Sequence, residues 1–136
     1  MDTENLIKEI VDSAITVKRT LGHGFLEAVY HNALMFELQH RGYKCEKEKD
    51  IKVYYLDRIA GAYRADLIVE GKVIIEIKVA DGIAPAHEYQ LVNYLRATNI
   101  EDGLIVNFGT FPVGFKRKFL NKNLAEIKKL MFLLSF

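Results

Sequence analysis

The sequence has a single cysteine, Cys45, among 136 residues. That excludes an internal disulfide and a cysteine-rich zinc site. No apolar run reaches the ~20 residues that a membrane-spanning helix needs, and no membrane partner is expected. The opening Met1-Asp2-Thr3-Glu4 lacks the basic-then-apolar pattern of a signal peptide, so a cytoplasmic location is the default expectation. The net charge is only +1, without the strong basic bias of many nucleic-acid binders. Acidic ligands would cancel basic contacts in such a count, so the balance does not exclude a nucleic-acid partner. Gly22 and Gly24 are not followed by the third glycine of a dinucleotide fingerprint. One cysteine and scattered serines offer no Cys-His or Ser-His-Asp arrangement. There is no internal repeat, low-complexity tract or linker.

What is present is globular: 50% of residues are hydrophobic and 27% charged, and the length suits one domain, 1–136, with one core. Leu6, Ile7, Ile10, Val11, Ala14 and Ile15 recur at helical spacing and predict a helix over about Thr3 to Thr20, capped by Asp2 or Thr3. A second helix is expected from about Phe25 to Arg41, with Gly42 at its end. Strands follow at Ile51–Leu56, Ala62–Val69 and Val73–Val79. A third helix, Pro85–Thr98, has proline in its first turn. A fourth strand runs over Gly103–Phe108, and a helical tail over about Asn121–Leu134. The order α-α-β-β-β-α-β-α describes an α/β (α+β) domain with a small mixed sheet flanked by helices.

One strand stands out. Val73-Ile74-Ile75-Glu76-Ile77-Lys78-Val79 is apolar enough to be buried, yet carries a glutamate and a lysine. Buried charges cost several kcal/mol unless paired, hydrated or metal-bound. Period two puts Glu76 and Lys78 on one face, and Arg64, Asp66 and Ile68 on one face of the preceding strand. If Glu70-Gly71-Lys72 forms a three-residue loop, Val69 opposes Val73 and Asp66 opposes Glu76. Two carboxylates about 5 Å apart repel. Mg²⁺ (or Mn²⁺) would resolve the conflict, with the Ile77 carbonyl as a further oxygen ligand and Lys78 beside it to hold water or stabilise phosphate charge. The bland alternative is a cross-strand salt bridge, Asp66 to Lys78 or Glu76 to Arg64.

Other residues fit such a site. Glu27 and Tyr30 lie at i and i+3 near the start of the second helix and can share a face, although a first-turn glutamate is also favoured by the helix dipole. His87, Gln90 and Tyr94 form one polar stripe on the third helix, Gln90 placed to hold a water and His87 a phosphate, unless the stripe merely meets solvent while Tyr89, Val92 and Leu95 pack on the sheet. Lys116, Arg117 and Lys118 begin a basic run that continues through Lys122, Lys128 and Lys129, a phosphate-contacting patch or a solvated helix face. His23, His31 and His40 lack metal-ligand spacing and are expected at the surface.

Taken together these residues resemble a known family. Gly22-His23-Gly24-Phe25-Leu26-Glu27-Ala28-Val29-Tyr30 matches the Gly-x-Gly-x-x-Glu-x-x-Tyr signature of the GxxExxY proteins, placed in the PD-(D/E)XK nuclease-like superfamily. Arg64-Ala65-Asp66-Leu67, Glu76-Ile77-Lys78, His87-Glu88-Tyr89-Gln90-Leu91 and Gly103 to Gly109 are similar in the same order. The resemblance spans about Leu6 to Lys118. It implies a restriction-endonuclease-like core, Asp66 and Glu76 as metal ligands, Lys78 as the catalytic lysine, Glu27 as the helix-borne acid, and Gln90 as the glutamine of the following helix. Alanine rather than proline precedes Asp66, a position that varies across the superfamily.

The leading expectation is a Mg²⁺-dependent nuclease acting on DNA. The alternative is a non-catalytic nucleic-acid-binding or assembly module that keeps the fold. A lone domain of this size has little surface for specific DNA recognition, and a homodimer joined through the apolar tail would enlarge it.

Overall fold

The computed structural model describes residues 2–120, and the expected tail helix, with Lys122, Lys128 and Lys129, lies outside the described residues. The described elements are α1 (Thr3–Leu21), α2 (Glu27–His40), β1 (Cys45–Tyr55), β2 (Arg58–Val69), β3 (Val73–Lys78), α3 (Pro85–Thr98), β4 (Asp102–Asn107) and β5 (Gly114–Phe119). They form one mixed sheet in the order β1-β2-β3-β4-β5, in which only β3 and β4 run parallel. Such a parallel pair needs a crossover, and α3 supplies it. None of the described helices is long and apolar enough to cross a membrane.

The sheet is covered on both faces. Leu6, Ile10, Ala14 and Val17 of α1 and Tyr30, Leu34 and Leu38 of α2 pack on Leu67, Val69, Ile75, Ile77, Leu104 and Val106. Leu91, Tyr94 and Leu95 of α3 pack on Ile68, Ile74 and Ile105. β3 and β4 are therefore buried on both faces, which accounts for their nearly unbroken apolar sequence. Asp2 caps α1 by accepting the Asn5 amide at 2.8 Å. Gly22 ends α1 at φ 86°, where a side chain would be strained. Arg41 joins α2 to α1 through Glu37, Asp12 and Glu9 at 3.1, 2.8 and 3.3 Å.

The structure corrects three expectations. β1 and β2 form a hairpin much longer than the pattern suggested, reversing at Leu56-Asp57, both at positive φ. Its outer part meets solvent on both sides, so no apolar alternation marks it. The basic stretch 114–119 is the edge strand β5 rather than a loop leading to a helix. Leu26, the N-cap of α2, and Phe36 within it are 80% and 61% exposed, so only part of the apolar content expected of that helix enters the core.

α3 sits close to the sheet because β4 carries Gly103. A Cβ there would lie 2.8 Å from Leu91 Cδ1 and 2.9 Å from its Cγ, nearer than packed carbons approach. Gly103→Ala should cost about 1–3 kcal/mol by overpacking. In a Leu91→Ala background, urea unfolding should show that penalty shrink, and equal penalties in both backgrounds would contradict the contact.

Candidate active site

The site is built where β2 parts from β3. The two pair through Val69↔Val73, Ile68↔Ile74 and Leu67↔Ile75, the register expected from a three-residue turn. That turn is held by the Lys72 N–H on the Val69 carbonyl at 2.9 Å, with Glu70 and Gly71 at positive φ. The next rung sets Asp66 against Glu76, but there the ladder stops. The alternation of β2 also breaks: Leu67 and Val69 face α1 and α2, whereas Ala65 joins the α3 cluster. Opposite the break, Glu48 of β1 has φ 51°. Simple period-two counting through Arg64 and Asp66 therefore fails, and Arg64 turns to Asp50 at 3.2 Å.

At this break the two carboxylates replace the missing ladder bonds. The Ile77 N–H donates to Asp66 Oδ2 at 2.7 Å, and the Asp66 N–H donates to Glu76 Oε1 at 3.3 Å. Each acid thus satisfies backbone of the opposing strand. Glu76 is 3% exposed. Burial first, and the neighbouring Asp66 charge second, push its carboxyl up to about 8, against a smaller pull from Lys78. The salt-bridge alternative fails, since among the described residues Lys78 and Arg64 form no ion pair with either acid.

Residues from three helices or strands surround this pair. Tyr94 of α3 is buried, and burial followed by the fields of Glu76 and Asp66 raises its phenol to about 12. Gln90, one turn earlier and exposed, lies beside the Tyr94 hydroxyl and offsets part of that rise. The packing face of α3 is Leu91, Tyr94 and Leu95, while Tyr89 is exposed. His87 Nδ1 accepts the Ala84 N–H at 3.1 Å, so one ring nitrogen caps its own helix. Lys78 is half-buried beyond Glu76 on β3. Glu76 shares a rung with Ile105 and Lys116, which puts exposed Lys116 two strand spacings, about 10 Å, away on the same face. Lys118, on that face too, pairs with Glu88 at 3.2 Å. Arg117 points to the opposite face, held at 2.7 Å by both Glu4 and Asp102. It is occupied by acids and is removed from the expected phosphate contacts.

Two histidine and tyrosine expectations are corrected. His31 is buried, not superficial, and its Nε2 lies 3.0 Å from the Asp66 carbonyl. A carbonyl only accepts, so the bond requires the proton on Nε2. His31 is four residues after Glu27 and so shares its helix face; that spacing was the available signal. Glu27 itself is exposed in the first turn of α2. Among the described residues no three His, Cys, Asp or Glu side chains converge as a metal cage, so Glu27 stands outside the immediate pair. Tyr30 is fully buried, so it cannot touch a substrate. Its hydroxyl donates to the Gly22 carbonyl at 2.6 Å and receives the Phe25 N–H at 3.3 Å, while its ring stacks on Phe108 at 4.7 Å.

Lys18 completes this clip and was not anticipated. Its buried ammonium donates to the Phe108 carbonyl and to His23 Nδ1, the latter at 2.9 Å, and lies 5.2 Å from the Tyr30 ring centre. A lysine on the apolar side of α1, four residues after Ala14, was its only sequence mark. Phe108 in turn donates its N–H to the Lys78 carbonyl at 2.8 Å. The glycine-containing loop before Glu27 is thereby fastened to the strand end that carries Lys78.

Two outcomes follow. Tyr30→Phe should cost about 1–3 kcal/mol by stranding the Gly22 carbonyl and should speed hydrogen exchange of the Phe25 amide; unchanged exchange would contradict the clip. Glu76 has a folded-state value raised from 4.5 to about 8, so its contribution is fully present below pH 4.5 and is lost as pH rises toward 8. In chelator-treated protein, Glu76→Gln should match wild type near pH 4.5 and exceed it by roughly a few kcal/mol at pH 8. Urea unfolding at both pH values checks this, and a pH-independent difference would refute it.

No curated protein matches the chain. Among solved structures, the crystal structure of SSO0001 is similar with a TM-score of 0.53 and 22% identity, over 94% of this chain and 64% of that one. The chain thus spans less than two thirds of that protein, and the likeness concerns the fold. The family model of the PD-(D/E)XK nuclease superfamily, whose members generally use divalent metals, matches residues 4–118. With a mixed sheet between two helical layers and a match over most of its length, the chain belongs to the PD-(D/E)XK nuclease superfamily.

Proposed function

We propose that this chain is a divalent-metal-dependent nuclease that hydrolyses phosphodiester bonds in DNA, and that it is of the GxxExxY type. The observation that carries the reading is the Asp66–Glu76 pair. One acid is so deeply buried beside the other that its carboxyl is driven toward the neutral form. Such a pair suits a bound cation, because a cation allows both acids to ionise. The donor set is all oxygen, as Mg²⁺ or Mn²⁺ prefers.

Asp66 and Glu76 would hold the metal together with the Ile77 carbonyl. When bound, the metal supplies charge neutralisation at the phosphate and a more acidic water. Lys78, with no acid partner among the described residues, would orient the attacking water and stabilise charge developing on the phosphate. Gln90, exposed one turn before Tyr94 on α3, would position a water or a phosphate oxygen. Glu27 would act through water from the α2 face that His31 fixes against Asp66. His87, through its free ring nitrogen, and Lys116 and Lys118, on the same sheet face, would contact backbone phosphates.

A second reading, a nucleic-acid-binding module without catalysis, is favoured by the absence of a third acid at the pair among the described residues. Cleavage of plasmid and single-stranded DNA with Mg²⁺ or Mn²⁺ separates the two. The nuclease reading expects Asp66→Ala and Lys78→Ala each to lower the rate at least ~100-fold, in the range seen when one stabilising donor is lost. Cleavage unchanged by both substitutions sinks it, and DNA binding without any cleavage favours the second reading.

A further inference from the structure

The β1–β2 hairpin extends past the sheet. β2 meets β3 only from Leu67 to Val69, whereas its pairing with β1 continues out to Tyr55↔Arg58. Asp66 sits where this arm leaves the sheet, so the arm begins at the carboxylate pair. One of its faces can be followed residue by residue. Ala65 and Ile51 are packed under α3. Tyr63, which pairs with Ile51, lies 5.5 Å from the Tyr94 ring and is 40% exposed. Gly61 comes next on β2, and the Tyr63 ring leans over it, within 3.4 Å of where a Cβ would stand. Val53 stands opposite Gly61, the register then shifts by one residue of β2, and Tyr55 pairs with Arg58 at the tip.

This face has two properties of a strand-binding track. Its rings are presented rather than packed: Tyr55 is 71% exposed, and Tyr63, tilted at 54° to Tyr94, keeps 40% of its surface exposed. Its cation is unspent. Arg64 and Lys49 of the arm are paired with Asp50 and Glu46, but Arg58 meets no acid among the described residues. Aromatic rings alternating with free cations suit single-stranded nucleic acid, since bases stack on rings and the backbone follows positive charge. A paired base inside a duplex hides the face that such stacking needs.

We propose that the α3-facing side of this arm binds an unpaired stretch of the DNA strand leading to the carboxylate pair, with the Tyr63 ring stacking on the base nearest the cleaved bond and Arg58 contacting a phosphate farther out. The proposal rests on the nuclease reading and adds the form of its substrate: DNA that is single-stranded or opened at the site.

The test uses the full chain carrying Asp66→Asn, which withholds cleavage, and short single-stranded and duplex oligonucleotides containing 2-aminopurine. Tyr63→Leu should weaken single-strand binding roughly 5- to 100-fold, the effect of losing one base–aromatic stack. It should also abolish the quenching of 2-aminopurine that stacking produces. Tyr63→Phe should stay within about twofold of the parent on both readouts, and duplex binding should respond less than single-strand binding. Arg58→Ser should weaken binding and flatten its salt dependence by about one phosphate contact. Thermal unfolding of each variant checks that the fold is kept. Single-strand binding and quenching unaltered by Tyr63→Leu would overturn the proposal while leaving a cleaving enzyme in place. The proposal also fails if sedimentation shows that Tyr63→Leu breaks a DNA-free dimer, which makes this face a contact between copies. A wild type that neither cuts nor binds any DNA removes both the proposal and the nuclease reading.

Discussion

The site depends on a short exchange of hydrogen bonds between two strands that have just stopped pairing. At the rung after Leu67↔Ile75, the Asp66 carboxylate takes the Ile77 N–H and the Glu76 carboxylate takes the Asp66 N–H. Backbone groups at a buried strand end must be satisfied somewhere. Here the acids do it, and the bonds fix both side chains in place. Each acid is then fastened in a geometry whose electrostatic cost is high, since Glu76 has almost no contact with water and a second carboxylate beside it. A fold that holds two acids in such a place supports their use with a cation, because leaving them unpaired would cost stability at neutral pH.

The rest of the molecule holds that rung from both sides. His31 of α2 fixes the Asp66 carbonyl from one face, and buried Tyr94 of α3, on the other, lies near enough to feel the charge of both acids. Lys18 and Tyr30 tie the loop before Glu27 to Phe108, which is hydrogen-bonded to Lys78. The glycines and tyrosine of the Gly-x-Gly-x-x-Glu-x-x-Tyr stretch therefore serve architecture, leaving Glu27 as its exposed chemical group. Gly103 lets Leu91 seat directly on β4, which brings α3, the helix that carries Tyr94, close to the sheet.

Much of this was legible from residue order. The apolar strand with its one buried acid, the three-residue turn and the register Val69↔Val73 followed from hydrophobic run and loop length, and they set Asp66 against Glu76. What escaped had physical reasons. The outer β1–β2 arm is solvated on both faces, so no period-two signal survives there. β5 is an edge strand of charged residues, and Lys116-Arg117-Lys118 looks more like a solvated helix than a strand, although Arg117 and its neighbours alternate between faces. The kink at Asp66 is a backbone event, visible only in Glu48 at positive φ and Ala65 turned toward α3. His31, Lys18 and Tyr94 act through partners far along the chain, which helical spacing alone cannot name.

The central claim is that Asp66 and Glu76 form a divalent-cation site. Anomalous scattering from crystals soaked in Mn²⁺ addresses it directly. The account predicts a peak within direct ligand distance of both carboxylates, and its loss in Asp66→Asn. Mn²⁺ found only elsewhere, with both carboxylates still engaged solely by the opposing backbone amides, would contradict it.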